Sequence, residues 1–288
     1  MSRRLLGWLE KSMKPVCHGR PSENHTFTDQ VRHAFSQSMC RFTPSNNMEA
    51  MTYSEEELED LPKSFDARKK WKNCRSIGAI SDQGVCGSCW AFGSTEAMAD
   101  RICIHSQGKI RVNLSAIHVT SCFNQEDGCQ GIDSLEDPYT FYQNKGIVTG
   151  GSYKNHEPKC KSKCQKGYPI PFKKDLHFGK KPYQVKGEKN IMKEIMKNGP
   201  VTAGFTVYSD FVSYSHGVYK PKDDATTNNG GHAIKILGWG EEKGKKYWLI
   251  ANSWDETWGD KGFVKFIRGI NSCKIESSVY ASMPNLKK

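Results

Sequence analysis

The sequence predicts an α+β protein in which a helical half precedes a sheet half. Three observations carry that prediction: apolar residues at helical spacing before residue 200, β-branched and aromatic runs after it, and glycine turns between those runs. From Gly87 the chain turns helical, with Ser88 in the N-cap position and Trp90, Ala91, Ala97, Met98 and Ile102 supplying an apolar face. A second helix is predicted over residues 190–198, where Ile191, Met192, Ile195 and Met196 repeat before Gly199-Pro200 stops it. Residues 201–208, 232–239, 246–251 and 262–267 then read as strands.

Residues 1–60 read differently. They are polar, lack long periodic segments and end in an acidic run, Ser54-Glu55-Glu56-Glu57-Leu58-Glu59-Asp60, before Pro62 breaks the chain. They are expected to be a removable pro-segment, with residues 61–288 forming the main domain; a flexible leader is the plainer reading. Near the start, Leu5-Leu6-Gly7-Trp8-Leu9 falls short of a signal-peptide core of about 7–15 apolar residues, so this N-terminus is expected to be atypical or incomplete.

The formal net charge is +11. Residues 1–60 carry 7 Lys+Arg against 9 Asp+Glu, so the positive excess lies in the remainder. There Lys159, Lys161, Lys163, Lys166, Lys173, Lys174, Lys180 and Lys181 crowd together. With no nucleic-acid motif among them, they are read as a solvated face rather than a patch for anionic partners. No run approaches the roughly 18 apolar residues of a membrane span. Eleven cysteines, an odd number, suit a disulfide framework in an oxidising compartment, with one thiol left over.

The segment most specific for chemistry is Asp82-Gln83-Gly84-Val85-Cys86-Gly87-Ser88-Cys89-Trp90-Ala91-Phe92. A cysteine opening a helix has its thiolate stabilised by first-turn N–H groups and the helix dipole. Cys89 stands there, one residue past the presumed cap. The N–H groups nearby and the Gln83 amide could hold an oxyanion. A redox or zinc pair of Cys86 and Cys89 is the competing reading, but no second ligand pair stands at zinc-finger spacing. A base is offered by His232 in Gly230-Gly231-His232-Ala233, whose glycines admit a close backbone approach. Farther on, Asn252-Ser253-Trp254 supplies an amide to orient an imidazole and an indole to shield that bond from water.

Together these residues resemble the papain/cathepsin signature, and more closely cathepsin B. Cys-Gly-Ser-Cys-Trp is followed far downstream by His232 and Asn252. Leu61-Pro62-Lys63-Ser64-Phe65-Asp66-Ala67-Arg68 looks like that family's mature start, and Asp100-Arg101-Ile102-Cys103-Ile104-His105 and Ile236-Leu237-Gly238-Trp239-Gly240 look like its internal segments. The resemblance implies a papain-like two-lobe α+β fold, a helical lobe and a barrel-like sheet lobe with a cleft between. It implies peptide-bond hydrolysis by Cys89 and His232, oriented by Asn252, with Gln83 and the Cys89 N–H as the oxyanion hole. It also implies the disulfides Cys74–Cys103, Cys86–Cys129 and Cys122–Cys160, and leaves Cys164 without its family partner. No metal or organic cofactor is implied. The implied partners are peptide and protein substrates, the chain's own pro-segment and cystatin-like inhibitors. A lysosomal or extracellular monomer is expected, with neither nucleic acid nor membrane as partner.

Three departures qualify the resemblance. Cathepsin B carries an occluding loop with two histidines, whereas Gly150-Gly151-Ser152-Tyr153-Lys154-Asn155-His156-Glu157 here runs straight into Pro158-Lys159-Cys160. Loss of the loop implies an endopeptidase with a cleft open at both ends. The family's Cys-Asn-Gly-Gly turn reads Cys129-Gln130-Gly131-Ile132-Asp133, so Ile132 is expected to crowd the cleft, and φ > 0 there would strain it. The acidic residue of the family's S2 pocket aligns with Ser278, implying apolar P2 preference. Gly131, Ile132, Gly231, Trp254 and Ser278 are thus the expected substrate-binding positions. The rival function is a protease-like binding protein with little turnover; the joint presence of Gln83, Cys89, His232 and Asn252 speaks against it.

Overall fold

The computed structural model describes Cys17, Met48 and residues 50–123, 128–150 and 160–287, apart from the side chains of Asn228 and Asn229. Strand β1 (Ala50–Met51) leads into a short helix, α1 (Glu55–Glu59). Ser54 caps α1 reciprocally with Glu57, each side chain accepting from the other's backbone N–H at 3.3 Å. Strand β2 (Phe65–Asp66) runs into α2 (Ala67–Lys70), where Asp66 accepts from Arg68 N–H at 2.9 Å. The helical lobe follows, with α3 (Cys89–His105), α4 (Ala116–Cys122) and α5 (Asp137–Asn144).

The second half alternates little. Strands β3 (Phe178–Gly179) and β4 (Tyr183–Val185) precede α6 (Glu188–Asn198), which Gly199 ends at φ +105°. Then come β5 (Val201–Tyr208), β6 (Val218–Tyr219), β7 (Thr227–Glu242), β8 (Lys245–Ala251), β9 (Phe263–Ile267), β10 (Val279–Ala281) and β11 (Pro284–Asn285). The main sheet has the order β1-β4-β10-β5-β7-β8-β9-β6, with β2 also on β7. Its pairings are antiparallel except β1 with β4 and β6 with β9. β5 keeps the predicted limits; β7 is longer than predicted at both ends, because its start pairs with β5 from Thr227 and its end continues the hairpin with β8 past Trp239.

Two cores flank β7. Ile234 and Ile236 face the sheet core with Phe205, Trp248 and Phe266, while Ala233 joins Trp90, Met98, Tyr139 and Tyr142 in the helical core. This alternation is the period-2 consequence of the pleat. Burying a side chain such as Phe266 contributes about 1.5–3 kcal/mol. Helix α3 lies directly on β7: a Cβ at Gly93 would meet the backbone N, C and O of Ile234 at 3.3 Å. Buried ions add directional locks. Arg101 pairs with Glu194 at 2.8 Å, joining α3 to α6, and Lys235 Nζ lies 3.1 Å from Asp100 and 3.6 Å from Glu96, joining β7 to α3.

The disulfides Cys74–Cys103, Cys86–Cys129 and Cys122–Cys160 are the three pairs that the resemblance implies. Cys164, whose family partner this chain lacks and whose pairing the sequence leaves open, is bonded to Cys17. A residue from the far N-terminal part of the chain supplies the sulfur. No helix among the described residues is long and apolar enough to cross a membrane.

Candidate active site

The site starts at the head of α3. Cys89 is its first residue, and the turn before it is held by the Cys86–Cys129 bridge and by Gly87 N–H donating to Cys129 O at 3.0 Å. Ser88 occupies the N-cap position, but its hydroxyl makes no cap and has no hydrogen-bond partner among the described residues. The predicted capping is therefore absent, and Ser88 consumes none of the first-turn amides. Cys89 is 1% exposed. Its sulfur is disulfide-bonded, so it is not the free thiolate expected from the sequence. Among the described residues the free cysteine is Cys273, whose thiol burial pushes up to about 11, a weak nucleophile.

Gln83 is buried beside this turn. Its Nε2 donates to Cys86 O at 2.8 Å, leaving the amide a second N–H, and its Oε1 accepts from Ser253 Oγ at 2.6 Å. Gln83 N–H also donates to Ser253 O at 2.9 Å, and Asp82 bridges Trp254. The loop before Cys89 is thus laced to the loop carrying Asn252.

His232 lies on β7, 3% exposed, where β5 pairs Phe205 opposite it. Its Nε2 is 2.7 Å from Asn252 Oδ1. Ser253 N–H donates to the same Oδ1 at 2.8 Å, which identifies that atom as the oxygen. Nε2 therefore carries the proton, and Nδ1 keeps the basic lone pair. The Trp254 ring lies over the imidazole at 4.6 Å between centroids, with Phe205 edge-on at 5.7 Å. Burial pulls the His232 pKa down to about 4, against the Asn252 hydrogen bond, which raises it.

The remaining predicted positions divide. Gly131 takes φ +90°, so the left-handed conformation falls on the glycine and not on Ile132. Ile132 is buried in the helical core with Cys89, Trp90 and Leu135 and carries no positive-φ strain. Gly231 pairs with Thr206 beside His232. Trp254 is packed inward against His232, Phe211 and Trp258. Ser278 is buried before β10, its carbonyl accepting from Gly204 N–H at 2.8 Å. Residues 151–159, where the sequence is expected to lack the occluding loop, lie outside the described residues. Sequence reasoning assigned no role to Ser253, although its backbone and hydroxyl tie Asn252 to Gln83; its position between Asn252 and Trp254 was the available signal.

A buried imidazole held by an amide and packed beside a helix that opens with cysteine is the arrangement of a thiol peptidase fold. Residues 61–283 match the family described as papain family cysteine protease, and the chain belongs to that family. It is similar to the cathepsin B-like cysteine proteinase of Schistosoma japonicum, 44% identical over 254 residues covering 78% of this chain and 73% of the relative. It is also similar to cathepsin B-like cysteine proteinase 1 of Ostertagia ostertagi, 41% identical over 275 residues covering 84% and 80%. Among solved structures, proCathepsin B S9 from Trypanosoma congolense superposes with TM-score 0.78 at 30% identity, over 99% of this chain and 98% of that one. Digestive procathepsin L2 proteinase from Tenebrio molitor larval midgut shares the fold, with TM-score 0.69 at 24% identity over 98% and 88%.

Proposed function

We propose that this chain is a cysteine endopeptidase made as an inactive precursor, with residues 1–60 as its pro-segment and a lysosomal or secreted destination. The observation that carries the reading is the buried His232–Asn252 pair at 2.7 Å, on a strand packed against the helix that Cys89 opens. In this reading Cys89, once reduced, attacks the scissile carbonyl, and His232 Nδ1 takes the thiol proton and returns it to the leaving amine. The Cys89 N–H and the second N–H of Gln83 receive the oxyanion. Asn252 holds the ring so that Nδ1 stays basic, and Trp254 keeps water from that hydrogen bond. Water then hydrolyses the thioester.

Gly131 and Gly231 offer backbone to an extended peptide, and Ser278 leaves the S2 pocket without a carboxylate. The few residues between Gly150 and Cys160 leave no room for an occluding loop, which favours internal cleavage over removal of C-terminal dipeptides. The pro-segment reading is supported by contacts of residues 50–57 with the sheet lobe. β1 extends the sheet at β4, Tyr53 N–H donates to Asn190 Oδ1 at 3.0 Å, the Tyr53 hydroxyl bonds Glu194, and Glu57 pairs with Lys197 at 3.0 Å. Asp60, Pro62, Lys63 and Ser64 are exposed, as a processing site requires.

Active-site labelling with an epoxide thiol inhibitor tests the reading. The reduced, processed protein is expected to take up one label per molecule, and Cys89→Ala none. Folded, reduced protein that takes no label would instead be a protease-like binding protein.

A further inference from the structure

The Cys17–Cys164 disulfide joins points 147 residues apart in sequence. Residue 17 stands before the boundary at residue 61, where the family match begins, and residue 164 stands after it. Cys17 is also seated rather than merely bonded. It is fully buried, its N–H donates to Thr149 Oγ1 at 3.0 Å, and its carbonyl accepts from Gln165 N–H at 2.9 Å. Thr149 is itself fixed, because Asp175 Oδ2 accepts from its N–H at 2.7 Å and from its hydroxyl at 2.8 Å. Tyr168 donates to the other Asp175 oxygen at 2.7 Å. Cys164, by contrast, is half-buried between the exposed Lys163 and Gln165.

We propose that this bridge is a reducible tether: it keeps the pro-segment covalently attached after the chain is cut near residue 61, so that release requires a thiol as well as a peptidase. The inference rests on the precursor reading above. A cut between residues 17 and 164 changes the connectivity but sets no piece free. A tethered inhibitor acts at an effective concentration that can reach the millimolar range and does not fall when the enzyme is diluted.

The chemistry needs a small-molecule thiol as co-reactant. Its thiolate attacks Cys164 Sγ, the accessible end; the S–S bond breaks, and Cys17 leaves as a thiolate that takes up a proton. A second thiol attacks the mixed disulfide, which returns Cys164 as a thiol and yields the oxidised reagent. Two electrons pass from two thiols to the bridge. Cys89 is disulfide-bonded as well, so the same reductant that lets the inhibitor go also frees the nucleophile.

The test uses full-length protein purified without reductant and cut near residue 61 by an added protease. Peptide mapping under non-reducing conditions is expected to find the Cys17 and Cys164 peptides joined. Gel filtration of the diluted, cut protein is expected to show the pro-segment retained without thiol and shed with glutathione. The variant Cys17→Ser/Cys164→Ser, with Cys89→Ser added so that the Cys89 bridge cannot hold the segment in its place, is expected to shed it without thiol, with at least about a tenfold drop in the retained fraction. Two free thiols in the map, or shedding by the cut wild type without glutathione, overturns the tether, and both are read whether or not the variant folds. Retention is measured by mass, so it stands apart from catalysis. A tethered protein that stays silent to the epoxide after reduction overturns the peptidase reading and leaves the tether intact.

Discussion

Three residues apart on β7, His232 and Lys235 are 3% and 0% exposed, yet burial has opposite outcomes for them. His232 faces an amide, and burial pulls its pKa down to about 4, so it is neutral over most of the working range. Burial also acts to lower Lys235, but the charges of Asp100 and Glu96 outweigh it and hold the ammonium above its ordinary value. The same burial pushes both carboxyls up, with Lys235 drawing them back. Desolvation penalises every buried charge; the partner decides whether the charge survives. One strand thus carries a neutral imidazole on one face and an ion lock on the other.

The comparison is broken most severely at the lock. Lys235→Met leaves the buried Asp100 and the half-buried Glu96 without their cation and is expected to destabilise the protein by about 3–5 kcal/mol in urea unfolding. Replacing Glu96, Asp100 and Lys235 together with apolar residues is expected to recover most of that loss. A Lys235→Met variant as stable as the wild type would mean that water, and not the carboxyls, keeps the ammonium charged.

A smaller effect is expected at the base, in the oxidised full-length form. With a folded pKa of about 4 against about 6.5 unfolded, His232 binds its proton more readily in the unfolded chain. Its contribution is thus fully present above pH ~6.5 and is lost as pH falls to about 4, roughly 3 kcal/mol in all. Urea unfolding across that window, wild type minus His232→Gln, isolates the term. A difference that grows as pH rises above 7 would contradict the sign. The smallest effect carries the same rule to a third buried position. Ser278→Glu adds a carboxylate that a P2 arginine can partner, and is expected to shift kcat/KM for Arg-Arg over Phe-Arg substrates by about tenfold, or 1.4 kcal/mol. The wild type is expected to favour Phe at P2; equal or faster cleavage of Arg-Arg would refute the reading of Ser278.

What was legible in the sequence was whatever repeats locally. The strand at residues 201–208 and the helix stopped by Gly199-Pro200 follow from side-chain period and breakers, and the structure has both. His232 and Asn252 were found through a family pattern, since nothing local pairs residues twenty positions apart. A turn's sequence does not say which of its residues takes positive φ; in this turn Gly131 does, and Ile132 is spared the strain. Ser88 is a cap by residue type, yet its hydroxyl is not used that way. Least legible were long-range partners: Cys17 for Cys164, and the two carboxyls for Lys235. Each is settled by tertiary approach, which leaves no mark in residue spacing.

The contact at Gly93 has a consequence for how such a molecule can change. Where helix backbone rests on strand backbone, no layer of side chains lies between to be traded for larger or smaller ones. The separation of the two chain segments that carry Cys89 and His232 is then set by peptide geometry. Both lobes can exchange core residues over generations while that spacing is inherited unchanged, and the freedom ends at a single position that has no side chain to vary.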